Sequence, residues 1–439
     1  MTPEEFRDSL HDGLGRALRQ AASVPMLERR EILLDACLHN RAIDPQLDSD
    51  RSSWLLEIID EGRDFDWIAP RIVAEIPALE HDWDVVQALQ LLVHLAKRGV
   101  EGAREALIAE FDRQRFRNEW GALQLVLLDG IPGFLHAARR IGKRALEDED
   151  DRIDDELWNR AAELVGDAEL ATALESAAGS DPFVARYAAG VAAHREQRSS
   201  LKPSSPDFWS SYDFDAVRAY LDDPRRAQIQ RFAWLVRWGQ RVATDSDLER
   251  VLLALVAERR PVRQSAWLRV FDKRPMLRFE PLTLALLDSP DEDVSWFAHR
   301  ALGRIAHPEL RRIALERLRA GTVDAKTVRL LLENYRLEDE PLLFAGLPTG
   351  GDREDLHALA VSVNDILARH GTAADSRLST WSYEHSGCTH CRREALERLL
   401  TLRCAPRGVL EESRFDSSED IRKLAGGALA DAELSTPAP

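Results

Sequence analysis

Four side chains able to bind a transition metal fall within seven residues, in the run His385-Ser-Gly-Cys388-Thr-His390-Cys391. Thiolate sulfur and imidazole nitrogen are the ligands zinc prefers, and Cys-x-x-Cys is half of many zinc sites. The same spacing also suits thiol–disulfide exchange. The chain carries four cysteines, Cys37, Cys388, Cys391 and Cys404, and no second Cys-x-x-Cys. Cys404 stands 13 residues beyond Cys391. On a continuous helix that is about 20 Å away, out of reach of the first pair. His385, Cys388, His390 and Cys391 are therefore the candidate metal ligands, and any further ligand must come from elsewhere.

A second chemistry is suggested by residues 223–278, which hold 13 Lys/Arg against 6 Asp/Glu. Trp234, Trp238 and Trp267 are interleaved with them. Guanidinium forks suit phosphates and indoles stack on bases. Arg259, Arg260, Lys273, Trp234, Trp238 and Trp267 are the candidate binding face. The whole chain opposes that reading with a net charge of −17, which repels nucleic acid and anionic surfaces at long range. His81, His94, His136, His194, His299 and His357 are scattered, and neither HExxH, GxSxG nor a glycine-rich phosphate loop occurs. No catalytic residue is assigned, and a non-enzyme is expected.

The elements that would position these residues are helices. Of the 439 residues 44% are apolar and 31% charged, an ordinary folded composition. No stretch approaches the roughly 20 apolar residues of a membrane span. The start, MTPEEF, lacks the basic opening and apolar run of a signal peptide. A cytoplasmic chain without membrane contact is expected.

Ala233-Trp234-Leu235 recurs as Ala266-Trp267-Leu268, and Ala88-Leu89-Gln90-Leu91 as Ala122-Leu123-Gln124-Leu125. Steps of 33 and 34 residues are the mark of a stacked helical array. The clearest unit runs from Pro290 to Gly321. Asp291 caps a helix whose Val294, Phe297, Ala298, Ala301, Leu302 and Ile305 form one apolar stripe. His307-Pro308 interrupts it, because proline lacks the donor and disfavours helix in the residue before it. A second helix over Glu309–Ala320 places Leu310, Ile313, Ala314 and Leu318 on one face, and Gly321 closes it.

These hairpins resemble HEAT repeats of the bacterial, phycobilisome-lyase-like type. In that family the first helix often opens on an Asp/Pro turn and reads Val-Arg, with Ala three residues after the Arg. Val262-Arg263…Ala266 and Ile421-Arg422…Ala425 match it. Val328-Arg329…Leu332 and Val294-Ser295…Ala298 are partial copies, and Asp181-Pro182 with Val184 is looser. Anchors fall at 233, 266, 298, 332, about 363, 395 and 425. The resemblance implies an all-α solenoid of stacked hairpins, 10 to 12 of them, with period about 30–34 residues. It also implies that the motif arginine pairs with a neighbouring Asp to tie repeats together.

The register bears on both chemistries. Cys391-Arg392…Ala395 falls on Val-Arg…Ala, so Cys391 stands where a core Val is usual. A packing role is therefore expected for it, with no tightly bound metal and no cofactor. Trp234 and Trp267 each follow an anchor Ala, which favours packing between repeats over base stacking. Some HEAT-like solenoids are alkylpurine DNA glycosylases with a concave face of Arg, Lys and Trp. That resemblance supplies the alternative function, a nucleic-acid-binding solenoid with a base-excision enzyme as its catalytic form. The leading expectation is a non-enzymatic scaffold or adaptor whose concave face takes another protein or peptide.

The domain boundaries expected are degenerate repeats over 1–195, a linker or long loop over 196–213, regular repeats over 214–430 and a disordered tail over 431–439. The run Glu147–Glu156, eight acids in ten residues, reads as a solvated loop or helix start.

Overall fold

The computed structural model describes residues 1–45, 51–113, 120–148, 152–200, 209–223 and 232–434. They form an all-α structure, with no strand among the described residues. The chain divides into two compact units, Met1–Pro203 with Glu411–Gly426, and Ser204–Leu410 with Gly427–Pro439. No helix among the described residues is long and apolar enough to cross a membrane.

The first unit contains α1 (Pro3–Asp12), α2 (Arg16–Gln20), α3 (Met26–Leu38), α4 (Ser52–Glu61), α5 (Phe65–Glu75), α6 (Asp82–Lys97), α7 (Ala103–Arg113), α8 (Ala122–Asp129), α9 (Ile131–Glu147), α10 (Glu156–Val165), α11 (Asp167–Ala178) and α12 (Pro182–Ser200). Its interior is continuous from Phe6 to Val191. Residues 411–426 belong to it, although the repeat period had placed them with the C-terminal array. Named bonds hold them there. Trp54 Nε1 donates to the Phe415 carbonyl at 2.8 Å, Arg16 pairs with Glu412 at 2.9 Å, and the Ser417 N–H donates to the Gly13 carbonyl at 2.9 Å. A Cβ at Gly15 would meet the Glu412 carbonyl oxygen at 2.0 Å, so only glycine admits this approach.

The expected linker and tail differ in part from what is found. Residues 196–200 complete α12, and Arg198 on that stretch pairs with Asp155 at 3.2 Å. Residues 201–208 lie outside the described ones. Residues 431–434 complete the helix Glu419–Leu434, and 435–439 lie outside the described residues. In the acidic run, residues 149–151 also lie outside them, but Asp155 is buried and faces His194, Arg195 and Arg198. One member of that run is thus a structural counter-ion.

The second unit continues with α13 (Phe214–Asp222), α14 (Ala233–Arg241), α15 (Asp245–Ala257), α16 (Pro261–Val270), α17 (Glu292–Leu302), α18 (Pro308–Arg319), α19 (Ala325–Arg329), α20 (Glu340–Gly346), α21 (Arg353–His370), α22 (Ser376–His385) and α23 (Thr389–Thr401). The hairpin from 290 to 321 forms with its caps in place. Asp291 accepts the Val294 N–H at 3.0 Å, Pro308 opens α18, and Gly321 takes a left-handed φ of 85°. Val294, Ala298, Ala301 and Leu302 are buried on α17, and Leu310, Ala314 and Leu318 on α18, while Phe297 and Ile313 are half-buried.

Helices touch near neighbours in the chain. α14 packs on α16, α16 on α17, α17 on α19, α19 on α21 and α21 on α23. Elsewhere in the unit α13 packs on α15, α18 on α20 and α20 on α22. Ala266, Ala298, Ala395 and Ala425 have no exposed surface. A methyl at these positions lets helices approach closely, and a larger side chain would force them apart. Charged side chains tie successive helices. Arg263 pairs with Asp222, Arg300 with Asp272, and Arg329 with Asp365 at 2.5 Å.

Candidate functional site

The two cysteines of the Cys-x-x-Cys come together with a histidine from another helix. His357 stands on α21, whose start is capped by Asp352 accepting the Glu354 and Asp355 N–H groups. Cys388 is the N-cap residue of α23, in extended backbone, and Cys391 lies in its first turn. The ring nitrogen of His357 and the two sulfurs all lie within 4.8 Å of one another. Cys388 and Cys391 are buried and His357 is half-buried.

The surroundings fix this arrangement. Asn364, two helical turns beyond His357 on α21, donates from Nδ2 to the Cys391 carbonyl at 3.0 Å. Ser386 is fully buried and its hydroxyl oxygen accepts the Cys388 N–H at 3.3 Å. Its hydroxyl also bonds the Cys391 sulfur. Arg392 is fully buried and donates to the Ser386 carbonyl at 3.3 Å.

The electrostatics separate the two thiols. A hydrogen bond from Cys391 holds the Cys388 thiol well below the usual range against the cost of burial, with help from His357. The Cys391 thiol is pushed up, because it donates to Cys388 and is itself buried. The two sulfurs are thus joined by one hydrogen bond, with Cys391 as its donor. Cys37 is a contrast: burial alone pushes its thiol up to about 12. Burial also raises the Cys404 thiol, which donates to the Leu399 carbonyl at 3.7 Å.

His385 and His390 do not join this group. His385 lies beside the Trp381 ring, centroids 5.8 Å apart, and lines a separate cavity with Phe344 and Leu347. His390 is exposed, with Nε2 3.1 Å from Glu394. Cys391 is 1% exposed, a depth the repeat register anticipates. The unanticipated member is His357, 31 residues before Cys388.

Residues 250–267 of the basic stretch, with Phe214, Arg218 and Asp222 of the preceding α13, build a groove of about 520 Å³ between α13, α15 and α16. Leu253, Ala254 and Ala257 give it apolar surface above the buried Phe214 and Trp267, and Arg218, Arg250, Arg260 and Arg263 line it with Asp222 and Glu258. Phe214 stacks on Trp267, rings 5.7 Å apart, and the Arg250 guanidinium lies 4.3 Å over Phe214. The arginines are held by the protein's own acids. Arg250 meets Asp215 at 2.5 Å, and Arg260 chelates Glu258 with two bonds of 2.9 Å. That contact holds the Glu258 carboxyl down, at about 2.

The tryptophans named from the sequence are interior. Trp238 is fully buried and donates from Nε1 to the Tyr212 carbonyl at 2.8 Å. Trp234 packs edge-on against Tyr212 and Tyr220, and Trp267 is 2% exposed. Of the named cations only Arg260 lines the groove; Arg259 and Lys273 are exposed outside it. Residues 224–231, with three arginines of the stretch, lie outside the described residues. No protein-family model matches the chain, and no curated protein or solved structure matches it.

Proposed function

We propose that this chain is a non-enzymatic interaction scaffold, a solenoid of stacked helical hairpins whose second unit takes an acidic segment of another protein in the α13–α15–α16 groove. The observation that carries this reading is the groove's lining. Exposed arginines border the exposed Leu253 and Ala257 of α15, the combination that suits a peptide bearing carboxylates beside an apolar side chain. The side chains of Arg218, Arg250 and Arg260 are 63%, 45% and 64% exposed. Ion pairs so exposed are weak, screened by solvent and salt, so a partner's carboxylates can replace the internal ones at small cost.

The solenoid reading is supported by helix contacts that run between near neighbours in the chain. It is supported also by motif arginines paired with acids of adjacent hairpins, as the HEAT resemblance implies. Burial of Trp234, Trp238 and Trp267 leaves no indole from this set to stack on bases, which favours a protein partner over nucleic acid. The test is quantitative capture from the native host, comparing wild type with an Arg218→Glu, Arg250→Glu, Arg260→Glu variant. The reading expects one protein lost from the variant and rescued by no nuclease treatment. Equal recovery by both baits overturns it.

A further inference from the structure

We propose that His357, Cys388 and Cys391 bind a transition-metal ion of the zinc class, clamping α21 to α23. The three ligand atoms lie within 4.8 Å of one another. Around a tetrahedral zinc with bonds of ~2.0–2.3 Å, ligand atoms sit roughly 3.5–3.8 Å apart. Small side-chain rotations therefore close the site without moving either helix. Two sulfurs and one imidazole select zinc and its tetrahedral analogues; magnesium and calcium require oxygen ligands.

Charge makes the same point. A divalent cation with two thiolates and a neutral imidazole is neutral overall, and so suits a site where both cysteines are buried. On binding, two S–metal bonds and one N–metal bond form, and any thiol proton displaced leaves to solvent. Both sulfurs also sit at the N-terminal end of α23, where the helix dipole favours thiolate.

The surrounding bonds are those a metal site needs. Ser386 bonds the Cys391 sulfur, Asn364 ties the two ligand-bearing helices together, and Arg392 anchors the Ser386 turn. Among the described residues the group has three ligands, so the fourth position falls to water or to a group brought by a partner. The register that puts Cys391 in the core does not compete with this. Burial of one sulfur serves packing and ligation alike, and a bound metal is proposed in place of the expected absence of one.

The test uses the full chain, reduced and stripped with chelator, then titrated with Co²⁺ and afterwards with Zn²⁺. The expected result is one Co²⁺ per chain, with thiolate-to-cobalt absorption in the near ultraviolet and visible bands of tetrahedral strength, displaced by Zn²⁺. Cys388→Ser and His357→Ala should each weaken binding more than about tenfold. His385→Ala and His390→Ala should leave it unchanged. Absence of the thiolate band in reduced wild-type protein overturns the proposal, as does a Cys388–Cys391 disulfide that takes no metal once reduced. Full binding by His357→Ala overturns it too, and because His357 is only half-buried that variant is expected to fold.

Discussion

Arg29 and Asp64 form a buried pair, with Nε donating to Oδ2 at 2.7 Å. Asp64 is 1% exposed and also accepts Nε of Arg30, at 2.7 Å. The remaining Arg29 donors go to the carbonyls of Val24 and Gly62, at 3.0 and 2.8 Å. One carboxylate thus ties the start of α5 to α3, and the guanidinium is satisfied on several sides.

Asp64→Ala strands the Arg29 charge in the interior. The expected loss is about 3–5 kcal/mol of first-unit stability, because an uncompensated buried charge costs more than the pair contributed. Urea unfolding followed by tryptophan fluorescence checks it. A loss under about 1 kcal/mol would mean that water reaches Arg29.

His299 makes the second unit acid-sensitive. It is 2% exposed, with Nδ1 donating to the Ser295 carbonyl at 2.8 Å and Nε2 accepting from Arg317 at 2.8 Å. Burial holds it neutral and lowers its pKa to about 4 from 6.5. The unfolded chain gains a proton near pH 6.5 and the folded one does not until about 4. Stability is therefore full above 6.5 and falls as pH drops toward 4, by up to about 3 kcal/mol. His299→Gln should flatten that part of the stability–pH curve; an unchanged slope would refute the assignment.

Gly15→Ala should detach the 411–426 segment from the first unit, since its Cβ would strike the Glu412 carbonyl. Amide exchange of the Ser417 N–H, bonded to the Gly13 carbonyl at 2.9 Å, should rise by at least about tenfold in the variant. Equal protection in both proteins would contradict this packing.

Fluorescent duplex and single-stranded DNA should bind weakly, with affinity falling steeply as salt rises. The second-unit arginines already hold internal acids, and the rest of the chain is acidic. Submicromolar binding at physiological salt, lost on reversing Arg259, Arg260 and Lys273, would favour the nucleic-acid reading instead.

Much of the local structure was legible in residue spacing. The stripe from Val294 to Leu302, the Asp291 cap and the His307-Pro308 junction are local physics and appear where the period puts them, but the helix ends at Leu302 and Ile305 stands beyond it. The depth of Cys391 and of Ala266, Ala298, Ala395 and Ala425 followed from register, whereas the first anchor, Ala233, is exposed. His357 did not, because a search for ligands within seven residues cannot see a neighbouring helix. The signal was nonetheless present: anchors near 363 and 395 are 32 residues apart, and that step carries position 357 onto 389, beside Cys388. Packing of 411–426 on the first helices was not legible, since a repeat period specifies neighbours in the array and not what covers a terminal helix. The basic stretch misled in part, because a linear count does not show that Glu258, Asp215 and Asp222 face the same arginines.

The groove is tested most directly by hydrogen exchange of the full chain alone and bound to its captured partner. The account predicts slowed exchange concentrated in α13, α15 and the start of α16, with the Arg218→Glu, Arg250→Glu, Arg260→Glu variant showing none. Slowed exchange confined to other helices, with 214–222 and 245–263 unchanged, would contradict it.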